Sequence, residues 1–313
     1  MENKLFEEFW KFAYERHEVF INKFTGKLPP YTSDVILQSY KFCNAYRILD
    51  RVSQYLLQSV IYNGKNYSSE NMIFRIIFFK LFNLPSTWEY LIQNIGDITL
   101  ENFDIAVISK LLTSRQKVEP IYNSAYIACA SKAFGFDKKH DNHLHLLYKM
   151  FISDKMQNKI LNCRNMKEAF EILVSYPLIG NFMAYQLITD LNYSDVVNFT
   201  ESEFTVVGPG SKRGIEKIFK TFTSYEDIIL YAYNNQCDEF KKQNLNFKYI
   251  GDRKLQLIDI QNLFCEFDKY CRQKHPQLKS NRTKIKKKYT ETSNKINYIF
   301  PPKWNIGISF ITK

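Results

Sequence analysis

The 313-residue sequence is short of the features that mark several protein classes. Its six cysteines (43, 129, 163, 237, 265 and 271) are scattered, with no CxxC pair and no metal-ligand spacing. That pattern argues against a disulfide framework, a zinc site or an iron–sulfur site, and reads as reduced thiols in a cytosol. No GxxxxGK[ST] stretch occurs, so no phosphate-binding loop of the Walker A type is encoded. The N-terminus, MENKLFEEF, is acidic and has no signal-peptide core. The most apolar run, Met72 to Phe82, is interrupted by Arg75 and Lys80 and is too short to cross a bilayer. The expectation is a cytoplasmic protein without a membrane partner, a metal or a cofactor.

Strand patterning is scarce as well. Only Phe204–Val207 alternates, as a short extended lead-in to Gly208, and there is no internal repeat. Helical periodicity is abundant, and the fold class expected is all-α. Helices are expected at 2–24, from about Thr32–Asp34 to Tyr62, and at 69–83, 86–95, 100–113, 120–134 and 141–162. Others are expected at 166–175, 179–191, 212–221, 224–235 and 254–273. In the first, Phe6, Trp10, Ala13 and Phe20 form the buried stripe. The chain is 45% hydrophobic and 16% aromatic, rich enough for a substantial core. Its formal net charge of +11 favours a polyanionic partner, nucleic acid before an anionic membrane.

The stretch from Leu173 to Phe219 organises the chain. It contains two turns, Pro177-Leu178-Ile179-Gly180 and Gly208-Pro209-Gly210-Ser211, each opening a helical pattern. Free N–H groups at a helix start, with cations nearby, suit a phosphate. This reading makes Gly180, Gly208, Gly210, Ser211 (as N-cap), Lys212 and Arg213 candidate phosphate contacts on a nucleic-acid backbone. The alternative for the second turn is a structural bend with solvated cations. A polar stripe, Asn44, Arg47, Asp50, Arg51 and Gln54, recurs at spacings of three and four in the expected helix ending at Tyr62. It reads either as a pocket for a base edge or phosphate or as surface ion pairing. In the last expected helix, either Gln261 and Asn262 meet this stripe from the opposite side or Glu266 pairs with Arg47 or Arg51. From Arg272 to Lys288 there are eight Lys or Arg and no acid. This segment reads as a basic arm along phosphates, or as a solvated tail. His140, His143 and His145 read as a histidine-rich loop before a helix and not as a metal site.

Two resemblances rest on these residues. Leu173…Pro177-Leu178-Ile179-Gly180…Ala184 resembles the helix-hairpin-helix element of DNA glycosylases, where turn amides hold one DNA phosphate. Asp34–Leu56, Gly208–Ile215 and Asp259–Tyr270 resemble the helical domain of 5-hydroxymethyl-deoxyuridine DNA kinases. They are also similar to the α-glutamyl/putrescinyl-thymine pyrophosphorylases of phage thymine hypermodification. The resemblance implies one glycosylase-like domain over 1–273, with the hairpin at 173–191 and the anion loop at 208–214, followed by a basic arm at 274–313. It implies a DNA-binding enzyme that extrudes thymine or a 5-hydroxymethyluracil-type base and modifies its 5-substituent. Excision of the base and non-catalytic reading of modified DNA are the alternatives.

The glycosylase lysine is absent, since Asn181 and Phe182 follow Gly180. Where that family has Asp, this chain has Glu201 and Glu203. These two and Asp190 are the candidate catalytic carboxylates. Without a Walker A loop, the sequence alone implies no ATP-dependent kinase on its own. The expected partners are DNA and a separate kinase or other base-modification enzyme.

Overall fold

The computed structural model describes residues 2–124, 129–278, 281–282, 284–285, 287–290 and 296–307. Among the described residues it is all-α, with no strand and two isolated antiparallel bridges, Tyr40 with Lys288 and Ile250 with Arg253. By its contacts the chain groups into two compact units. The first comprises Met1–Asp50, Glu201–Tyr298 and Trp304–Lys313; the second comprises Arg51–Thr200 and Ile299–Lys303.

The first unit is built on α1 (Glu2–Phe24), α2 (Val35–Ser39), α11 (Pro209–Ile218), α12 (Tyr225–Lys242) and α13 (Leu257–Lys274). In α1, Phe6, Trp10, Ala13 and Phe20 are all buried, as the period requires. Phe9 stacks on Phe264 of α13 with ring centroids 4.3 Å apart, and Trp10 meets Phe240 of α12 edge-on. Gln256 and Asp259 form a reciprocal capping box at the start of α13.

The second unit contains α3 (Arg51–Tyr55, continuing as a π turn over Leu56–Ile61), α4 (Ser69–Phe82), α5 (Pro85–Ile95) and α6 (Ile105–Gln116). It continues with α7 (Lys139–Leu147), α8 (Met156–Leu161), α9 (Met166–Val174) and α10 (Asn181–Leu191). Helix α4 is buried nearly all round, including Arg75 and Lys80. Arg75 is accommodated because its guanidinium donates to Val60 O and Ile98 O and stacks on Tyr67. The end of the chain returns to this unit: Gln54 bonds both the amide and the carbonyl of Ile299, and Lys303 donates to Ser194 O and Val197 O.

Three helical expectations need correction. The long helix from about Thr32 to Tyr62 is interrupted. Asp34 caps α2 through the amides of Ile36 and Leu37, but Tyr40 is extended and the chain stays irregular until the short 3₁₀ turn Arg47–Leu49. In the expected helix at 120–134, residues 125–128 lie outside the described residues, and the described remainder is turn and bend. Asn123 N is held by Phe82 O and the Ile121 carbonyl by Thr87, so this segment is tied down without a helical ladder. The expected helix at 141–162 breaks where Lys155 takes a left-handed conformation (φ 48) between a π turn and α8.

Candidate functional site

The interruption after α2 creates a polar site in the first unit. A non-helical segment buried in a core must find partners for its amides and carbonyls outside its own backbone. Residues 42–47 find them in side chains. Glu266 accepts from Cys43 N (2.9 Å), Asp50 from Asn44 N (2.9 Å), and Asp259 from Arg47 N (2.7 Å). Arg16 covers the carbonyls, donating from Nε to Cys43 O (2.8 Å) and from Nη2 to Phe42 O (3.3 Å) and Asn44 Oδ1 (2.8 Å). Asn44 Nδ2 closes the ring on Leu49 O (2.8 Å) and Asp50 Oδ1 (3.2 Å).

Burial dominates the electrostatics here. It pushes Asp50 up to about 6 against the pull of the Asn44 amide and Arg16, and pushes Asp259 up to about 7 against two backbone donors. Burial also lowers the Arg16 guanidinium and raises the Cys43 thiol well above its usual value. Lys269, paired with Glu266, sits at about 12. Arg16, Asn44 and Asp50 are half-buried, not sealed. A carboxyl near 6 beside a guanidinium and an amide can accept or donate a proton near neutral pH while holding a polar ligand edge.

The polar stripe read from sequence is therefore not a helix face. It brings Asn44 and Asp50 together, and Arg16 joins them. Arg47 is buried at 2% exposure. In the second unit, Arg51 is exposed at the start of α3, and Gln54 is buried with its amide bound to the backbone at Ile299. Glu266 pairs with Lys269 and accepts from Cys43 N. Arg16 was detectable in the sequence. It falls at i, i+3, i+4, i+7 spacing from Phe9, Phe12 and Ala13 and ahead of Phe20, a cation in an apolar register.

The catalytic candidates separate. Glu201, in the first unit, pairs with Arg253 at 2.6 Å, and Arg253 stacks on Trp304 with its guanidinium carbon 3.7 Å from the ring centre. Glu203 is exposed. Asp190, in the second unit, is 1% exposed and pairs with Lys80 at 3.0 Å.

The two turns also differ. In the second unit, α9 and α10 flank Pro177–Gly180, with Leu178 at φ 67 and Gly180 at the N-cap of α10. Gly180 is exposed, a Cβ added there would meet nothing within 4 Å, and no side chain caps the helix. Ala184 is fully buried.

In the first unit, α11 begins at Pro209 with Gly208 as N-cap, so Ser211 is not the cap. It lies in the first turn, fully buried, and its hydroxyl donates to Gln261 O (2.7 Å). A Cβ on Gly210 would lie 2.1 Å from Cys265 Sγ, and one on Gly214 2.0 Å from Phe264 O. Arg213 (3.0 Å) and Lys217 (2.9 Å) bind Asp268, which Arg272 also reaches, while Lys212 is exposed. These cations hold Asp268 below the usual carboxylate range despite its burial.

The histidines serve the second unit's packing. His143 sits between Tyr122 Oη (2.8 Å) and Cys129 O (2.9 Å), and burial brings it down to about 4. His140 contacts Thr113, and His145 Nδ1 bonds Asp141 O. Among the described residues no group of His, Cys, Asp and Glu could hold a metal, and no helix is long and apolar enough to cross a membrane.

An all-α protein with a carboxylate-clamped polar segment is the class that fold and site define. Residues 3–280 match the family model described as "5-hmdU DNA kinase, helical domain", and the chain belongs to that family. It is 29% identical over 265 residues to a protein of Bacillus phage SP10 named 5-hmdU DNA kinase. That match covers 78% of this chain but only 41% of the relative. No solved structure matches.

Proposed function

We propose that this chain binds DNA and presents an extruded 5-hydroxymethyluracil-type pyrimidine for modification at its 5-substituent, as in thymine hypermodification. The observation that carries the reading is the family match over nearly the whole chain to the helical part of enzymes named for that base. A base stacked in a duplex is out of reach, so chemistry on it requires extrusion. The turn at Gly180, exposed and opening a helix that no side chain caps, suits one DNA phosphate. Asp50 and Arg16 supply a titratable acceptor and a cation suited to a pyrimidine edge, and Asn44, bonded to both, fixes their positions. Because the sequence has no GxxxxGK[ST] loop, we assign these 313 residues to base presentation and not to nucleotide binding.

Intact-mass analysis tests this. Duplexes carrying thymine or 5-hydroxymethyluracil are incubated with the protein, with and without ATP, alongside a gel shift. Tighter binding of the 5-hydroxymethyluracil duplex is expected, with its mass unchanged or raised by a modification. Loss of the base would make the protein a glycosylase. Equal binding of both duplexes, each returned unchanged, would overturn recognition of that base.

A further inference from the structure

The charge of the first unit is unevenly placed. It holds 27 Lys and Arg against 19 Asp and Glu, and the whole surplus of eight lies between Arg272 and Lys288. Outside that stretch the unit is electrically balanced. The stretch is also fastened. Lys41 N donates to Lys287 O (3.1 Å) and Tyr289 N to Ser39 O (2.9 Å), forming an antiparallel bridge at Tyr40 and Lys288. Arg272 Nη1 donates to Lys284 O (3.1 Å), and Lys23 of α1 bonds the Tyr289 hydroxyl and lies over its ring. Lys41, Lys284, Lys287 and Lys288 are exposed.

We propose that this fastened segment is a phosphate track, the surface along which the first unit grips one strand of duplex DNA. The sequence places a cation at every second position, Arg282, Lys284, Lys286 and Lys288. The exposed cations Lys284, Lys287 and Lys288, with exposed Lys41 on the segment bonded to Lys287, put four positive charges on one short stretch of surface. Pinning matters as much as charge. A tail loses conformational freedom when it binds, whereas a segment held by backbone hydrogen bonds has already lost part of it. The track has no hydrogen-bonding code for bases, so it supplies register and salt-dependent affinity and not sequence choice. This inference rests on the DNA-binding reading above and adds where the backbone is held.

The test is the salt dependence of duplex DNA binding by the full chain. Three proteins are compared: wild type; Lys284→Gln/Lys287→Gln/Lys288→Gln; and a control with equal charge loss in the second unit, Lys110→Gln/Lys117→Gln/Lys167→Gln, all exposed. Each phosphate contact contributes about 0.9 to the slope of log affinity against log salt, so the track variant should lose about 2.7. The control should stay within one contact of wild type, and circular dichroism should show all three folded. Equal flattening by both variants would overturn the track in favour of diffuse attraction. Tighter binding of RNA of the same sequence, or loss in the track variant of binding to phosphatidylserine vesicles alone, would reassign the surface and overturn it. A wild type that binds no DNA sinks the parent reading, whereas a wild type that binds with an unaltered track variant sinks only this one.

Discussion

The two glycine turns look alike in sequence and are opposite in structure. At Gly180 an added side chain would meet open space, and no side chain caps α10. At Gly210 and Gly214 the missing side chains let α11 lie against α13, and the hydroxyl and cations of the turn reach inward to Gln261 O and Asp268. One turn is a surface; the other is a seam. Glycine, proline and nearby cations mark a turn, and what packs on it decides whether an anion can approach.

The largest expected effect concerns what holds the open turn in place. Helix α10 is anchored by the buried pair Lys80–Asp190, whose side chains are 5% and 1% exposed. Asp190→Ala leaves an ammonium buried without its counter-charge and should cost about 3–5 kcal/mol in urea denaturation. If stability is untouched while activity on modified DNA vanishes, Asp190 is a reacting group and the anchor account fails.

Next comes the seam. Gly214→Ala puts a methyl 2.0 Å from a backbone oxygen, which no rotamer change can relieve, and should cost on the order of 3 kcal/mol. Gly210→Ala meets mainly the Cys265 thiol, a movable neighbour, so about 1–2 kcal/mol is expected. Cys265→Ala should recover part of the Gly210→Ala loss and none of the Gly214→Ala loss. A double-mutant cycle reads the difference, and equal rescue of both would mean the helices are not in contact as described.

An effect spread over several pH units follows from α13 itself. The folded chain holds the Asp259 proton more tightly than the unfolded chain, about 7 against an ordinary value near 4. Between those values the folded state binds more protons, so stability falls as pH rises, approaching 1.4 kcal/mol per unit. Asp50 adds to this between about 4 and 6. Asp268 has the opposite sign. Its depressed value contributes stability above the unfolded pKa that is lost on acidification. Denaturation across pH 4–8 should show stability declining toward neutrality, and Asp259→Asn should flatten the decline. A rise over that range would contradict the assignment.

These contrasts also show what the sequence could disclose. Helices α1, α4, α5, α9 and α10 were legible because a 3.6-residue period and local caps such as Ser68 and Asn165 need only neighbouring residues. The break after Ser39 was not, because its amides are satisfied by Glu266 and Asp259, more than 200 positions away, while its polar residues mimic helical spacing. Asn44 and Asp50, grouped in the sequence as one helix face, are brought together by hydrogen bonds in a segment that is not helical. The packing role of Gly210 and Gly214 required the identity of the facing residues, which no local pattern contains.

The smallest expected change in stability is the most informative for function. Gly180→Ala adds a methyl to open space at φ −85, a backbone any residue can adopt. Alanine is a poorer N-cap than glycine, so a loss of under about 1 kcal/mol is expected. If a DNA phosphate closes on the α10 amides, that methyl stands in its path. The helix-terminus contribution, about 1 kcal/mol, would then be lost as a roughly fivefold weakening of duplex binding. Gly210→Ala should show the reverse pattern, reduced stability with unchanged affinity of the folded fraction. Binding isotherms for the two variants, corrected for the folded fraction, separate the cases. Unchanged affinity in Gly180→Ala would leave the open turn without a phosphate and move the search for the grip to the first unit.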